Sequence, residues 1–325
     1  MKIIHVGLGD FGLWWCEILH QRMMDKKDIT LVAIVDTNEA THQRVAAFGI
    51  PCYTSLEDAI AATRPGFILN STPPAAHITV NRIAHSHNIP VLMEKPISED
   101  HSDVLENLQL AKQGHKLAVA ENYRYLRSCI FVRDEIKSKL QNISSINVTF
   151  RRHHHMQNYH ATMAQPMLID ITTHHIDLLR FFTDSEVSAV SARLTKPSWS
   201  WYTGMSNVKA IGEMTSGIEF IYDGALDAFD ETSWVGFWTF TAENGVAKFI
   251  NNQLHLNIGG VEETIQIPQD DEVASKNKIL EDFMDYINDS VSPPIILSNQ
   301  AKNAAVVNAM LTADGAKKFV EVSYD

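Results

Sequence analysis

Three glycines near the start of the chain restrict the fold more than any other feature. Gly7, Gly9 and Gly12 directly follow the apolar run Lys2–Val6 and open a helical pattern. This spacing permits a tight turn, close approach of the backbone to a pyrophosphate, and close packing of a helix on a strand. Asp36 ends the next predicted strand, where a carboxylate can accept from both adenosine-ribose hydroxyls and repels a 2′-phosphate. The pattern predicts a Rossmann domain that binds NAD, with NADP less favoured. The alternative is a glycine-rich turn with Asp36 capping a helix.

The first 120 residues alternate short apolar runs with helical patterns, which is typical of βαβ units on a parallel sheet. The predicted strands are Lys2–Val6, Thr30–Val35, Phe67–Leu69, Val91–Met93 and Lys116–Ala120. The predicted helices lie near Phe11–Met24, Glu39–Phe48, His77–His87 and Ser102–Gly114. We therefore expect an α/β fold whose first domain, residues 1–121, is a doubly wound parallel sheet.

After residue 121 the pattern changes. We expect a helix over Cys129–Leu140, a strand over Ile146–Arg152, and a large, mostly antiparallel open sheet from Val187 to about Ile267. Turn signals in that sheet are Asp223-Gly224, Asn244-Gly245 and Gly259-Gly260, and helical patterns follow at Ser275–Asn288 and Asn299–Lys318. Residues 122–325 are thus expected to form a second α/β domain. An alternative for the two C-terminal helices is packing back on the first domain.

Charge and composition restrict the partners. The chain has 27 Lys and Arg against 39 Asp and Glu, a net charge of -12, with no basic cluster of the kind that nucleic acids or anionic membranes attract. No stretch approaches the roughly 18 apolar residues of a membrane span. Cys16, Cys52 and Cys129 share no short spacing, which fits neither a disulfide framework nor a zinc site. With no signal-peptide pattern at the N-terminus, we expect a cytoplasmic protein without nucleic-acid or membrane partners.

Two polar segments follow predicted strands of the first domain. Asn70-Ser71-Thr72-Pro73-Pro74, with His77, follows the third strand, and Glu94-Lys95-Pro96 follows the fourth. Ligands of such sheets bind at the carboxyl ends of the strands. A Lys at this edge, followed by a rigid Pro, is well placed to hydrogen-bond a reacting oxygen; the alternative is a solvated surface charge.

A third polar group occurs in the second domain. On a helix, Asp170, His174 and Asp177 stand at i, i+4 and i+7, on one face within an apolar run, and His175 points elsewhere. A neutral imidazole can take a hydroxyl proton, while a carboxylate orients the ring and a Lys ammonium stabilises charge on oxygen. Three polar groups within such an apolar run need a functional role or buried hydrogen-bond partners. The alternative is a capping Asp with a core His.

Taken together, the glycine turn, Asp36, Thr72-Pro73, Glu94-Lys95-Pro96, Asn122-Tyr123-Arg124-Tyr125 and Asp170/His174/Asp177 resemble the Gfo/Idh/MocA family (glucose–fructose oxidoreductase, inositol dehydrogenase and relatives). The resemblance implies that Lys95, Asp170 and His174 are catalytic, with His174 as the base, Asp170 its partner and Lys95 the oxygen ligand. It also implies that the Lys95-Pro96 peptide is cis. The expected cofactor-binding residues are Gly7, Gly9, Asp10, Phe11, Gly12, Asp36, Ser71, Thr72, Pro73, His77, Glu94 and Lys95. The expected substrate-binding residues are Lys95, Arg124, His153, His155, Asp170, His174 and Asp177.

The run before Asp170 departs from many members of that family. Gln165–Ile169 and then Thr172 stand where glycines are frequent, as in a subset that is also similar at Trp199-Ser200-Trp201-Tyr202. The histidines of residues 153–155, with His160, lack the spacing of a compact zinc site, so we expect no metal.

The resemblance implies an NAD(P)-dependent dehydrogenase or reductase that acts on the CH–OH group of a sugar, cyclitol or related polyol. The alternative is a non-catalytic metabolite sensor of the same fold. We also expect a homodimer or homotetramer joined through the second domain's sheet. Apolar side chains are predicted on both of its faces, with Trp234, Trp238 and Phe240 on one face and Val235 and Phe237 on the other.

Overall fold

The computed structural model describes residues 1–155, 158–289 and 291–324. The chain divides into two compact units. The first unit comprises Met1–Glu121 and Lys276–Ala301, and the second comprises Asn122–Ser275 and the residues from Lys302 on. No helix within the described ranges combines the length and the apolar character that a membrane crossing requires.

The secondary structure follows the chain in this order. Up to residue 121 it runs β1 (Lys2–Val6), α1 (Asp10–Asp25), β2 (Thr30–Val35), a 3-10 segment (Glu39–Phe48), β3 (Cys52–Tyr53), α2 (Leu56–Thr63), β4 (Phe67–Asn70), α3 (Pro74–Ser86), β5 (Val91–Met93), α4 (His101–Lys112) and β6 (Leu117–Val119). It continues with 3-10 turn Tyr123–Tyr125, α5 (Arg127–Lys139), β7 (Ile143–Arg151), 3-10 turn Asn158–Thr162, π-helical turn Met167–Thr172, α6 (Thr173–Thr183), β8 (Val187–Thr195), β9 (Asn207–Met214) and β10 (Glu219–Ala225). It ends with β11 (Phe237–Ala242), β12 (Gly245–Ile250), β13 (Gln253–Ile258), β14 (Val261–Gln266), α7 (Glu272–Ile287), α8 (Leu297–Ala316) and β15 (Val320–Glu321).

The first unit contains a six-stranded parallel sheet in the order β3-β2-β1-β4-β5-β6. The doubly wound fold predicted from the sequence is confirmed. Strand order reverses between β1 and β4, so the loops after these strands border the crevice where such sheets bind ligands. Sequence patterns missed β3 and α2. Strand β3 has two residues, too few to show a period, and α2 has eight, begun by Ser55, whose Oγ accepts from the backbone N–H of Asp58.

The second unit contains a nine-stranded sheet in the order β14-β13-β12-β11-β7-β10-β9-β8-β15. It is mostly antiparallel, as predicted, with one parallel pair, β7 and β10. The turn at Gly259-Gly260 is confirmed, and the turn predicted at Asn244-Gly245 lies one residue earlier, at Glu243-Asn244. The turn predicted at Asp223-Gly224 is wrong, because both residues lie inside β10. A Cβ at Gly224 would come within 2.5 Å of the Met167 side chain, so this glycine serves close packing and not a turn.

One face of this sheet carries the core of the second unit, and side chains alternate along each strand. On β9, Val208, Ala210 and Met214 are buried whereas Ile211 is exposed. Trp238 and Phe240 share one face of β11, as predicted, and both are buried. The strand predicted to include Trp234 and Val235 starts later, at Phe237, because Gly236 with φ of +83° turns the chain just before it.

Candidate functional site

The glycine turn between β1 and α1 fits a bound pyrophosphate. A Cβ at Gly7, where φ is +99°, would lie 2.8 Å from the Ser71 backbone, and one at Gly12 would lie 2.2 Å from the Gly7 carbonyl oxygen. A Cβ at Gly9 would meet no atom within 4 Å, so this side of the turn is open. Helix α1 begins there without a side-chain cap, which leaves the N–H groups of its first turn to face an anion.

Asp36 is fixed at the end of β2 by two backbone donors. Its Oδ2 accepts from the N–H of Leu8 at 2.7 Å and its Oδ1 from the N–H of Asn38 at 2.8 Å. Arg44 donates to the Leu8 carbonyl at 2.6 Å and to the Asp10 carboxylate at 3.0 Å. The predicted ribose-binding carboxylate and the glycine turn are therefore one connected structure. Phe11, at the start of α1, is 52% exposed.

A buried hydrogen-bonded chain lies under this turn. The ring of His5 contacts the thiol of Cys16 through Nδ1 at 2.9 Å and the hydroxyl of Ser71 through Nε2 at 2.8 Å. The Ser71 hydroxyl lies 3.0 Å from the carbonyl oxygen of Val6 and 3.1 Å from that of Gly7. Burial lowers the pKa of His5 to about 3, so the ring is neutral. Ser71, predicted to bind the cofactor, thus stabilises the backbone of the glycine turn through its hydroxyl.

The loops after β4 and β5 are joined by His77. Its fully buried ring lies 2.9 Å from the Thr72 carbonyl oxygen and 3.2 Å from that of Ile97. His77 therefore stabilises the positions of the two loops, and the proposed role of His77 in cofactor binding is indirect. The Thr72 hydroxyl donates to the Asn70 side chain at 2.7 Å, and Pro73 precedes α3. The Lys95-Pro96 peptide is cis, as the sequence resemblance implied.

In the second unit, Asp170 and His174 occur where the π-helical turn Met167–Thr172 passes into α6. Both are buried, with 3% and 4% exposure. Nε2 of His160 lies 3.7 Å from Oδ2 of Asp170, and the His174 ring stacks on Tyr123. π-Helical turns concentrate at functional sites, where they change the direction of a side chain. The segment was predicted as regular helix, and the structure differs at this turn.

Asp177 has no exposed surface, and its carboxylate is bound within the second unit. It accepts from Nε and Nη2 of Arg124 and, at 2.8 Å, from the Asn303 amide, while Nη1 of Arg180 lies 3.5 Å away. Burial acts to raise the pKa of Asp177, but the guanidinium of Arg124 and the other donors outweigh it, so the pKa is lowered. In this structure Asp177 orients Arg124.

The neighbouring histidines divide between surface and core. His153 and His155 are exposed; His155 stacks on Trp201 with centroids 3.6 Å apart, and His153 stacks on Phe229. His175 is fully buried, with its ring nitrogens 2.8 Å from the Tyr222 hydroxyl and 3.2 Å from a backbone carbonyl oxygen. Burial lowers the pKa of His175 to about 3, and the residue is a neutral part of the core.

Three residues in these networks were not anticipated from the sequence: His5, Arg44 and Asn303. Of these, His5 carries a readable signal, a polar residue between the apolar residues Ile4 and Val6 of β1. Among the residues that the structure describes, no group of three or more His, Cys, Asp or Glu side chains is arranged to hold a metal ion.

Residues 1–123 match the model of the Gfo/Idh/MocA oxidoreductases, described as an oxidoreductase family with an NAD-binding Rossmann fold. The match covers 123 of the 325 residues of the chain. The resemblance inferred from the motifs is thereby confirmed over the Gfo/Idh/MocA domain, which contains the glycine turn, Asp36 and Glu94-Lys95-Pro96.

Relatives and solved structures extend the likeness. An inositol 2-dehydrogenase of Pseudarthrobacter chlorophenolicus is 26% identical over 201 residues, which cover 60% of this chain and 58% of that protein. The chain thus aligns with about three fifths of that relative's length. An oxidoreductase of Agrobacterium radiobacter, solved with NAD+, L-tartaric acid and magnesium, has a TM-score of 0.89 at 17% identity, covering 99% and 98% of the two chains. Levoglucosan dehydrogenase in complex with NADH has a TM-score of 0.85 at 15% identity, covering 99% of each chain. At these identities the solved structures show that the chain has a known fold.

Proposed function

We propose that this protein is an NAD-dependent dehydrogenase or reductase that acts on a CH–OH or keto carbon of a sugar, cyclitol or related polyol. The observation that carries the proposal is the pair Asp170 and His174, both buried, in a chain whose residues 1–123 match the model of an NAD-binding oxidoreductase family. A sensor that only bound the cofactor would have no use for a buried carboxylate–imidazole pair capable of proton transfer.

NAD, when bound, supplies the nicotinamide that exchanges a hydride with the substrate carbon. The open side of the turn at Gly9 and the uncapped start of α1 support pyrophosphate binding. Asp36, held by the N–H groups of Leu8 and Asn38, accepts from the hydroxyls of the adenosine ribose and repels a 2′-phosphate.

Side chains of this protein transfer the proton and stabilise the negative charge that develops on the substrate oxygen. In the oxidative direction a ring nitrogen of His174 accepts the substrate hydroxyl proton, and the Asp170 carboxylate stabilises the resulting imidazolium. The Lys95 ammonium stabilises negative charge that develops on the substrate oxygen. In the reductive direction the same groups return the proton.

The polyol assignment rests on the chemistry of these groups and on the relatives. Carboxylates and a neutral imidazole accept hydrogen bonds from hydroxyls, and the Arg124 guanidinium and Lys95 ammonium donate to them. An apolar alcohol offers a single hydroxyl to these groups, whereas a polyol offers several hydroxyls that both donate and accept. The names inositol 2-dehydrogenase and levoglucosan dehydrogenase describe activities on cyclic polyols in similar proteins.

A turnover screen tests the proposal. NADH formation is followed at saturating NAD over inositols, aldoses, sugar acids and simple aliphatic alcohols, and NADH consumption over the corresponding keto compounds. We expect kcat/KM for at least one sugar or cyclitol to exceed that of any aliphatic alcohol by about a hundredfold or more. Equal efficiency with aliphatic alcohols would contradict the polyol assignment. NAD binding without turnover of any compound would favour the sensor.

A further inference from the structure

A buried ion pair lies directly before the proposed catalytic lysine, in the first unit. Glu94 directly follows β5 and is 7% exposed, and Lys276, on α7, is 3% exposed. The Lys276 ammonium donates to Oε1 of Glu94 at 3.1 Å. We propose that Lys276 is a positioning residue for the reaction: it holds the Glu94 carboxylate, which in turn holds the backbone of Lys95. This inference rests on the proposed function, in which Lys95 acts on the substrate oxygen.

The contacts of Glu94 form a chain that ends at Lys95. Oε1 accepts both from Lys276 and from the indole N–H of Trp15 at 2.6 Å, and Oε2 accepts from the backbone N–H of Lys95 at 3.0 Å. One carboxylate oxygen is thus held by two side-chain donors, and the other oxygen holds the backbone of Lys95. Three segments that are distant in the sequence, α1, the end of β5 and α7, meet at this one side chain.

The environment of Lys276 is built for a cation. Its ammonium lies over the ring of Trp15, 4.3 Å from the centroid, and over that of Trp14 at 4.7 Å. Aromatic faces carry negative potential and attract a desolvated ammonium. Burial acts to raise the pKa of Glu94, but the charge of Lys276, the Trp15 N–H and Lys95 outweigh it, so the pKa is lowered and the carboxylate is ionised.

A gain in the free energy of unfolding does not explain the buried ion pair of Glu94 and Lys276. Removing two ions from water costs about as much as their attraction returns, and apolar replacements of similar volume are often equally stable. A carboxylate with a fixed orientation, by contrast, defines where the next peptide unit lies. Small displacements of a catalytic group reduce turnover strongly, because the reacting atoms must be aligned.

The test compares turnover and cofactor binding in four variants. Lys276→Met keeps an apolar contact with the two indoles but removes the charge, and Glu94→Gln keeps the shape of the carboxylate. The double variant removes both charges and leaves no unpaired buried ion, so it remains informative if either single variant folds poorly. Lys278→Met is the matched control, since Lys278 lies on the same helix and pairs with Asp282 at the surface.

Turnover is expressed per NAD-binding site, counted by calorimetric titration, so that loss of folded protein does not count as loss of catalysis. We expect Lys276→Met to lower kcat roughly ten- to a hundredfold, with the NAD Kd changed by less than about threefold. The double variant should be no slower than Glu94→Gln, because both changes act through one carboxylate. Lys278→Met should match the wild type.

Lys95→Ala, measured beside these variants, distinguishes a failure of the Lys276 positioning role from a failure of the proposed role of Lys95. If Lys95→Ala is inactive while Lys276→Met turns over normally, the positioning role of Lys276 is refuted and the proposed function stands. If the losses in Lys276→Met and Glu94→Gln multiply in the double variant, the two residues act independently and the inference is wrong. If Lys95→Ala is nearly as fast as the wild type, the role of Lys95 fails, and the inference with it.

Discussion

The imidazole of His174 lies flat against the phenol ring of Tyr123, with the ring centroids 4.1 Å apart and the planes 7° from parallel. Tyr123 occupies the 3-10 turn that opens the second unit, 51 residues before His174 in the sequence. The stack leaves the edge of the imidazole, where the two nitrogens are, as the part of the ring that can exchange protons. It therefore fixes the plane in which the proposed base works.

Removing the stacked ring should reduce turnover. Aromatic contacts of this kind are worth about 0.5–1.5 kcal/mol, so we expect Tyr123→Ala to lower kcat by up to about tenfold, with little change in NAD affinity. Tyr123→Phe keeps the ring and is the control; it should retain most of the activity. Steady-state kinetics with the best substrate provide the measurement, and equal rates for the Ala and Phe variants would show that the stack is unimportant.

The proposed acid–base set gives the largest expected losses. Lys95→Ala and His174→Ala should each reduce turnover by roughly a hundredfold or more, as expected for lost oxygen stabilisation or proton transfer. NAD affinity, measured by calorimetry, should change little. Near-normal turnover in His174→Ala would place the proton acceptor elsewhere, with His160, 3.7 Å from Asp170, as the next residue to test.

Asp36 should control the choice between NAD and NADP. Asp36→Ala removes the acceptor for the ribose hydroxyls and the repulsion of a 2′-phosphate, so NAD should bind about tenfold more weakly while NADP binding weakens less or improves. Glu39→Ala is the control, because it removes a nearby exposed carboxylate from the following 3-10 segment. Calorimetry with both cofactors gives the comparison. Tighter binding of NADP than of NAD by the wild type would contradict this assignment.

The buried histidines predict how stability depends on pH. The pKa values of His5 and His175 lie near 3 in the folded chain, against about 6.5 when unfolded. The unfolded chain therefore binds more protons between these values, and each imidazole lowers the free energy of unfolding by about 1.4 kcal/mol per pH unit as the pH falls from about 6.5 towards 3. His175→Gln should unfold with a shallower pH dependence, by about one proton. Urea unfolding at several pH values tests this, and parallel curves for variant and wild type would refute it.

The open face of the second sheet is the proposed subunit interface. Ile211 on β9 and Ile221 on β10 are direct cross-strand partners, and they are 47% and 52% exposed. Contiguous exposed apolar side chains on a sheet face favour contact with another chain. We expect a homodimer or homotetramer that Ile211→Lys/Ile221→Lys converts to smaller species by light scattering. Val261→Lys, on β14, is the control, and a wild-type monomer at micromolar concentration would exclude the interface.

Local patterns in the sequence predicted much of this structure. The strands of the first unit alternate with helices at short intervals, and the glycine turn and Asp36 belong to a single βαβ segment, so their arrangement depends on neighbours within about 30 residues. Helix α6, which carries His174 and Asp177, is likewise predicted from local spacing, but the π-helical turn before it is not. All six residues of that turn are buried, so the segment shows no apolar period that an inserted residue could shift.

The supporting residues could not be found in that way. Lys276 is 182 residues from Glu94, and Asn303 is 126 residues from Asp177. Spacing along α7 and α8 predicts two helices but does not specify which polar side chain will meet a buried carboxylate elsewhere. The turn predicted at Gly224 was wrong for a related reason. A glycine is needed there because the Met167 side chain packs against the backbone, and not because the chain turns.

The first unit is assembled from two stretches of chain, Met1–Glu121 and Lys276–Ala301. Ribosomes add about 5–20 residues per second, so roughly 10–40 s separate the synthesis of β6 from the synthesis of α7 and the start of α8. Throughout that interval the chain lacks α7, which places Phe283 against Phe67 and Lys276 against Glu94. The cofactor-binding half of this protein is therefore completed late in translation, after most of the second unit has been made, although its sequence begins the chain.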